Sequence, residues 1–185
     1  MKKEKHLLKL LKKDSSSEKA FKLLLELYQE QLYWHIRKIV LIHEDSNDIL
    51  QNTFIKAFKY LGNFKGNSSI KTWMYRIAYN ESIDYLNNKK KHLQISSQEL
   101  NNKILQDLQE DIYFEGDAIE LLLQKALLSL PNKQRTVFRM RYYDDLKFKE
   151  IAEVLKTSEG SLKASYHIAA KKIAAFVTND PNLLT

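Results

Sequence analysis

The 185-residue chain carries 30 basic and 23 acidic side chains, a formal net charge of +7, four glycines, two prolines and no cysteine. Those figures exclude disulfides and thiolate metal sites, favour polyanionic partners, and point to an almost all-α protein. No apolar run approaches the ~18 residues of a membrane span, and the start, Lys2-Lys3-Glu4-Lys5, lacks the apolar stretch and small-residue cleavage site of a secretory signal, so a cytoplasmic protein without stable membrane insertion is expected.

In chain order, Phe21, Leu24, Leu25, Tyr28, Leu32 and Ile36 recur at three- and four-residue steps, which predicts an amphipathic helix over about 15–40. Ser15, Ser16 or Ser17 offer its cap, with Glu18 placed for a capping box. A second helix is predicted from about Asp48 to Leu61, stopped by Gly62. Residues 62–69 form a loop by composition. A third helix follows from Ile70 to about Asn88, with Ile70, Trp73, Met74, Ile77 and Tyr85 as its inner stripe. From Asn87 to about Gly116 periodicity fades into Asn, Gln, Ser and acidic residues, which reads as a flexible acidic linker with at most a transient helix near Ile104-Leu105. It returns at Ile119, Leu122, Leu123, Ala126, Leu127 and Leu130. Pro131 opens the next helix, which runs to about Tyr143. Asp144 or Asp145 is expected to cap the following helix, which ends near Lys156, and Thr157 or Ser158 the last, which ends near Thr178.

Charge divides the same way. Residues 1–91 hold 18 basic and 10 acidic side chains, residues 92–130 hold 2 and 7, and residues 131–185 hold 10 and 6. Two basic lobes flank an acidic middle, as in a chain with two nucleic-acid-facing modules. The stretch from Leu146 to Ile173 has the helix, short turn and longer helix of a helix-turn-helix. With Leu162, Tyr166, Ala169 and Ile173 buried, the outer face carries Ala164, His167, Ile168 and Lys171, flanked by Ser161, Lys163 and Ser165. Such a face enters a major groove, with lysines on phosphates, Ser161, Ser165 and His167 near base edges, and Ile168 against thymine methyls. A plain helical hairpin with a solvated face is the bland alternative. On the Ile70 helix, Tyr75, Arg76, Tyr79, Asn80 and Ile83 are expected to face outward. Aromatics stack on unpaired bases for about 1–3 kcal/mol each, and Lys65, Lys71 and Arg76 supply charge. The Asp48–Phe58 helix interleaves Asp48, Gln51, Asn52 and Lys56 with Phe54 and Phe58, a surface able to dock partner helices or simply an amphipathic face.

These blocks resemble the sigma-70 family of bacterial RNA polymerase initiation factors, in its small two-domain extracytoplasmic-function group (group 4). The resemblance rests on Asp48-Ile49-Leu50-Gln51-Asn52-Thr53-Phe54, on Phe64 through Asn80, and on Leu130-Pro131, Gln134-Arg135, Glu150-Ile151-Ala152 and Gly160-Ser161-Leu162-Lys163, in that order. It implies a region 2-like domain over 1–90, a linker over 91–118 and a region 4-like helix-turn-helix domain over 119–180. By the same resemblance Asp48, Gln51, Asn52 and Phe54 bind core polymerase. Lys65, Asn67, Ser68, Ser69, Trp73, Arg76, Tyr79 and Asn80 melt and capture the −10 element. Ser161, Lys163, Ser165, His167, Ile168 and Lys171 read the −35 duplex. It implies an anti-sigma partner, no cofactor and no enzymatic activity. The five histidines (His6, His35, His43, His92, His167) show no metal spacing and no phosphate loop is present. Asn52 stands where the family usually has Glu, Tyr79 where Arg is common, Lys156 where Gly is frequent, and Ser165, Ile168 and Ala170 where Arg is frequent. The competing reading is a stand-alone helix-turn-helix regulator, which has no use for a docking face or a single-strand face.

Overall fold

The computed structural model describes residues 2–13, 18–64, 66–111, 113 and 118–179. Ser15, Ser16 and Ser17, the expected first caps, lie outside them. The described residues form helices and no strand, and the chain divides into two compact units, Met1–Lys89 and Lys90–Thr185.

The first unit begins with a helix that the periodicity did not predict, α1 (Lys2–Lys13). It packs on α2 (Glu18–Val40) through the fully buried Leu7. Tyr28 of α2 donates its hydroxyl to Glu4 at 3.2 Å, and Lys3 pairs with Glu26. Burial first, and then the Glu4 charge, hold the Tyr28 phenol above its ordinary value, so it remains a donor. On α2, Ala20, Leu24, Tyr28, Leu32 and Ile36 repeat every four residues and are all buried. Each such leucine or isoleucine contributes about 1.5–3 kcal/mol of transfer free energy. The chain then turns at Leu41, which holds a φ of 66°, into α3 (His43–Tyr60). Ile49, Leu50, Thr53, Phe54 and Ala57 face α2, and the buried Thr53 hydroxyl donates to the Ile49 carbonyl at 2.8 Å. A 3-10 turn, Leu61–Asn63, leads to the loop before α4 (Ile70–Leu93). Two ion pairs tie α4 to α3: Lys89 to Asp45 at 3.0 Å, and Lys56 to Glu81.

α4 buries a different face from the one expected. Ile70 and Met74 are inside, but their companions are Thr72, Tyr75, Ala78 and Ser82, while Trp73, Ile77 and Tyr85 are half-buried. Large apolar and aromatic side chains stand all round this helix, so size does not select a face. Small residues do: Ala78 and Ser82 are fully buried, and the Ser82 hydroxyl satisfies itself on the Ala78 carbonyl at 2.8 Å. Tyr75, expected outside, is 2% exposed and lies against His35 with ring centroids 4.8 Å apart.

In the second unit, the segment expected as a flexible linker contains a helix, α5 (Ser97–Glu110). A reciprocal capping box starts it: Ser96 accepts from the Glu99 N–H at 3.1 Å, and Glu99 accepts from the Ser96 N–H at 2.7 Å. Leu100, Ile104 and Leu108 share one face and are buried. Asn101 fixes the helix to its own unit, donating to the Leu128 carbonyl at 3.1 Å and accepting from Arg135 at 3.3 Å. Next come α6 (Ala118–Ser129), α7 (Asn132–Tyr142), α8 (Phe148–Leu155) and α9 (Glu159–Thr178). Ala126, Leu127, Leu130, Phe138, Ala169 and Ile173 form the core, with α9 packed against α6, α7 and α8. Neither Asp144 nor Asp145 caps α8. The Lys147 N–H donates to Glu150 at 2.8 Å, so the helix starts at Phe148.

Candidate nucleic-acid and polymerase interfaces

The outward face of α3 carries Asp48, Gln51 and Asn52, all exposed. Phe54 does not join them: it is 6% exposed, edge-on to Phe21 at 6.3 Å, and belongs to the core. The apolar members of the face are Ile55, 58% exposed, and Phe58, 51% exposed. Ile55 was missed in the sequence, although its seven-residue step from Asp48 puts it on the same stripe. Beside this face a groove of about 420 Å³ runs between α2 and α3, lined by Phe21, Leu25, Phe54, Ile55 and Phe58, with the amides of Gln29, Asn47 and Gln51 among them.

Of the residues expected at the second interface, Lys65 lies outside the described residues. Gly66 turns the loop with a φ of 73°, a conformation glycine adopts without strain. Asn67 is exposed and Ser68 half-exposed. The Ser69 hydroxyl is engaged locally: it accepts from the Thr72 N–H at 3.0 Å and shares a 2.8 Å bond with the Thr72 hydroxyl, starting α4. Trp73 is half-buried against Phe64, with centroids 5.4 Å apart. Arg76 and Tyr79 are half-buried and Asn80 is exposed. Asn67 and Ser68 thus stand in the loop, and Trp73, Arg76 and Asn80 follow at helical steps along one flank of α4 with Tyr79 beside them, whereas Tyr75 is turned into the core.

The third interface is α8, a three-residue turn and α9. Lys156 makes the turn with a φ of 51°, and Ser158 caps α9 by accepting from the Ser161 N–H at 3.4 Å. Leu162, Ala169 and Ile173 are buried as expected, and Tyr166 stacks on Phe138 at 5.6 Å and 16°. Lys163, Ala164, His167, Ile168, Lys171 and Lys172 are exposed, and Ser161 and Ser165 are half-exposed. The expected outer face therefore exists as one continuous surface. It gains a cation that the α9 pattern could not reveal: Lys133, at the start of α7, donates to the Ser161 hydroxyl at 2.7 Å.

Comparison with known proteins agrees in both halves. Residues 24–92 match the Sigma-70 region 2 family, and residues 120–173 match Sigma-70, region 4. The chain is 30% identical to the ECF RNA polymerase sigma factor SigW of Bacillus subtilis, over 80% of this chain and 83% of that protein. It is 31% identical to the RNA polymerase sigma factor YlaC of the same organism, over 82% and 87%. In fold it resembles the sigma factor RpoE solved with the anti-sigma factor NepR from Bartonella quintana, with a TM-score of 0.67 and 19% identity, over 88% of this chain and 99% of that one. The chain belongs to the sigma-70 family of RNA polymerase sigma factors, in its extracytoplasmic-function group, and is a promoter-directing transcription initiation factor.

Proposed function

We propose that this factor docks on core RNA polymerase through the outward face of α3, with Asp48, Gln51 and Asn52 making polar contacts and Ile55 and Phe58 the apolar ones. Phe54 supports that face from beneath. The Gly66–Ser69 loop and the exposed flank of α4 then hold the opened −10 strand, with Trp73 and Tyr79 offering ring faces and Arg76 and Asn80 offering charge and base-edge bonds. The outer face of α9 reads the −35 duplex through Ser161, Lys163, Ser165, His167, Ile168 and Lys171. The observation that carries this reading is the exposure of Ile55 and Phe58 beside three exposed polar side chains on one helix. Monomers rarely leave such apolar residues grouped at the surface without a partner. The factor acts by binding rather than catalysis, in the cytoplasm where the polymerase works. An anti-sigma protein is its inhibitory partner, a reading supported by the family resemblance and by the solved relative, which is held by one.

The test is binding to sigma-free core polymerase. One-to-one binding is expected, weakened at least tenfold by Asp48→Ala or Ile55→Ala, a loss of about 1.4 kcal/mol. Lack of binding by the folded wild-type chain, together with tight duplex binding on its own, would make it a stand-alone regulator instead.

A further inference from the structure

We propose that His43 positions the Asn47 side chain so that its carbonyl oxygen faces the α2–α3 groove, an inference that rests on the polymerase reading above. The groove then fits a partner that carries a hydrogen-bond donor beside the apolar side chain it inserts. Asn47 is exposed, lines the groove and stands one turn before Gln51 on α3. Its Nδ2 lies 2.9 Å from Nε2 of His43, four residues earlier. The other ring nitrogen, Nδ1, lies 2.7 Å from the Tyr33 hydroxyl on α2. The His43 and Tyr33 rings also meet edge to face, with centroids 5.9 Å apart. The relay from Tyr33 through His43 to Asn47 therefore joins the two helices that wall the groove.

An amide nitrogen only donates, so Nε2 of His43 is the acceptor. A neutral imidazole has one N–H, which then sits on Nδ1 and is donated to the Tyr33 oxygen. Tyr33 holds the ring in place, and the bare Nε2 holds the amide by its nitrogen. Oδ1 leaves the same amide carbon in another direction and is turned away from the ring. Among the described residues the Asn47 side chain has no other bond. Gln29 and Gln51, the other amides of the groove, have no side-chain bond among the described residues, and a free amide presents either end. Asn47 is thus a groove amide with a fixed end, an acceptor set among Leu25, Leu50 and Ile55. A bond between residues four apart stabilises a helix by itself, but such a pair has no need of the tie to Tyr33 on the facing helix.

Affinity for sigma-free core polymerase is measured with the full chain and its variants, together with thermal melting of each free protein. Asn47→Ala is expected to weaken binding on the order of threefold to tenfold, the worth of one hydrogen bond, without lowering the melting temperature, because alanine is the better helix former. Asn47→Asp keeps an oxygen toward the groove and is expected to bind at least as well as the wild type. His43→Phe keeps the ring contact and loses both bonds. It is expected to weaken binding on the order of threefold by itself and not at all in the Asn47→Ala background, since it acts through that amide. Tyr33→Phe removes only a hydroxyl, is expected to show the same dependence on Asn47, and replaces His43→Phe if that variant unfolds. Equal losses in both backgrounds overturn the proposal, because the ring would then only support the fold. A loss in Asn47→Asp as large as in Asn47→Ala also overturns it, because the amide would then present its nitrogen. Unchanged binding by Asn47→Ala, with Asp48→Ala weakened, overturns it and leaves the polymerase reading intact. A folded wild-type chain that does not bind core polymerase removes that reading, and this inference with it.

Discussion

Two residues with nearly the same backbone angle lead to opposite expectations. Lys156 and Leu41 both hold left-handed conformations, with φ of 51° and 66°. For residues other than glycine this costs about 1–2 kcal/mol. Lys156 is exposed and ends α8, so Lys156→Gly removes that cost against only the extra freedom of the unfolded chain. It should raise stability by about 0.5–1 kcal/mol in urea unfolding. Leu41 is 4% exposed, and losing its side chain costs about 2–5 kcal/mol, as in other large-to-small core changes. That outweighs the relieved backbone, so Leu41→Gly should destabilise by about 1–3 kcal/mol. Arg139 is the third case. It is 5% exposed, and its Nε and Nη2 have no hydrogen-bond partner. Burial first, then the neighbouring Arg135 charge, lower its pKa to about 9. Asp144 and Tyr143 act in favour of the charge, but with two of its nitrogens unbonded they do not offset its burial. Replacing a buried ionic group by a matching apolar side chain is often neutral or stabilising, so Arg139→Met is expected to stabilise the protein by about 1–3 kcal/mol, read from the same unfolding curves. A loss of stability would mean that the guanidinium has a compensating partner.

At the scale of elements, sequence legibility followed the pattern of large apolar side chains. α2, α6 and α9 were readable because leucines, isoleucines and aromatics mark their buried faces, although Ile119 at the start of the α6 stripe is 59% exposed; α7 and α8 were readable as helices without an assigned face. α4 was readable as a helix but not as a face, because its closest packing uses Ala78 and Ser82 while large residues fill its flanks. The interfaces inherit that difference. The outer surface of α9 followed from its clear inner stripe, whereas Tyr75 was misplaced and Ile55 missed because those depended on the rotation of their helices. α5 was obscured by composition. Its amides and carboxylates suggest an unstructured segment, yet Ser96 to Glu99 is a capping box and Leu100, Ile104 and Leu108 recur at four-residue steps. Ile104→Ala separates a packed helix from a flexible linker. Packed, with Ile104 3% exposed, it should lose about 2–5 kcal/mol. In a flexible linker the substitution would leave the unfolding midpoint within error.

At the scale of the whole molecule, the two kinds of interface should respond differently to salt. The proposed polymerase face offers Gln51, Asn52, Ile55 and Phe58 with Asp48, and Lys56 beside them is paired with Glu81. The proposed −35 face offers Lys163 and Lys171, with Lys133 and Lys172 nearby, and α9 carries no arginine. Phosphate contacts weaken steeply with salt because they release condensed counterions, and apolar and amide contacts do not. Raising salt from about 0.1 to about 0.4 M should therefore strip promoter DNA from the holoenzyme while the factor stays on the polymerase. The same shortage of cations makes the second unit a weak duplex binder by itself. Held on the polymerase, it meets the −35 duplex at an effective concentration near the millimolar range once the −10 strand is engaged, so modest affinity suffices. Residues 90–185 alone should bind the selected duplex at least about 100-fold more weakly than the holoenzyme does, the low end of the avidity that linkage supplies. Affinity within tenfold of the holoenzyme would show that the helix-turn-helix reads promoters unaided, and that the polymerase adds recruitment rather than recognition.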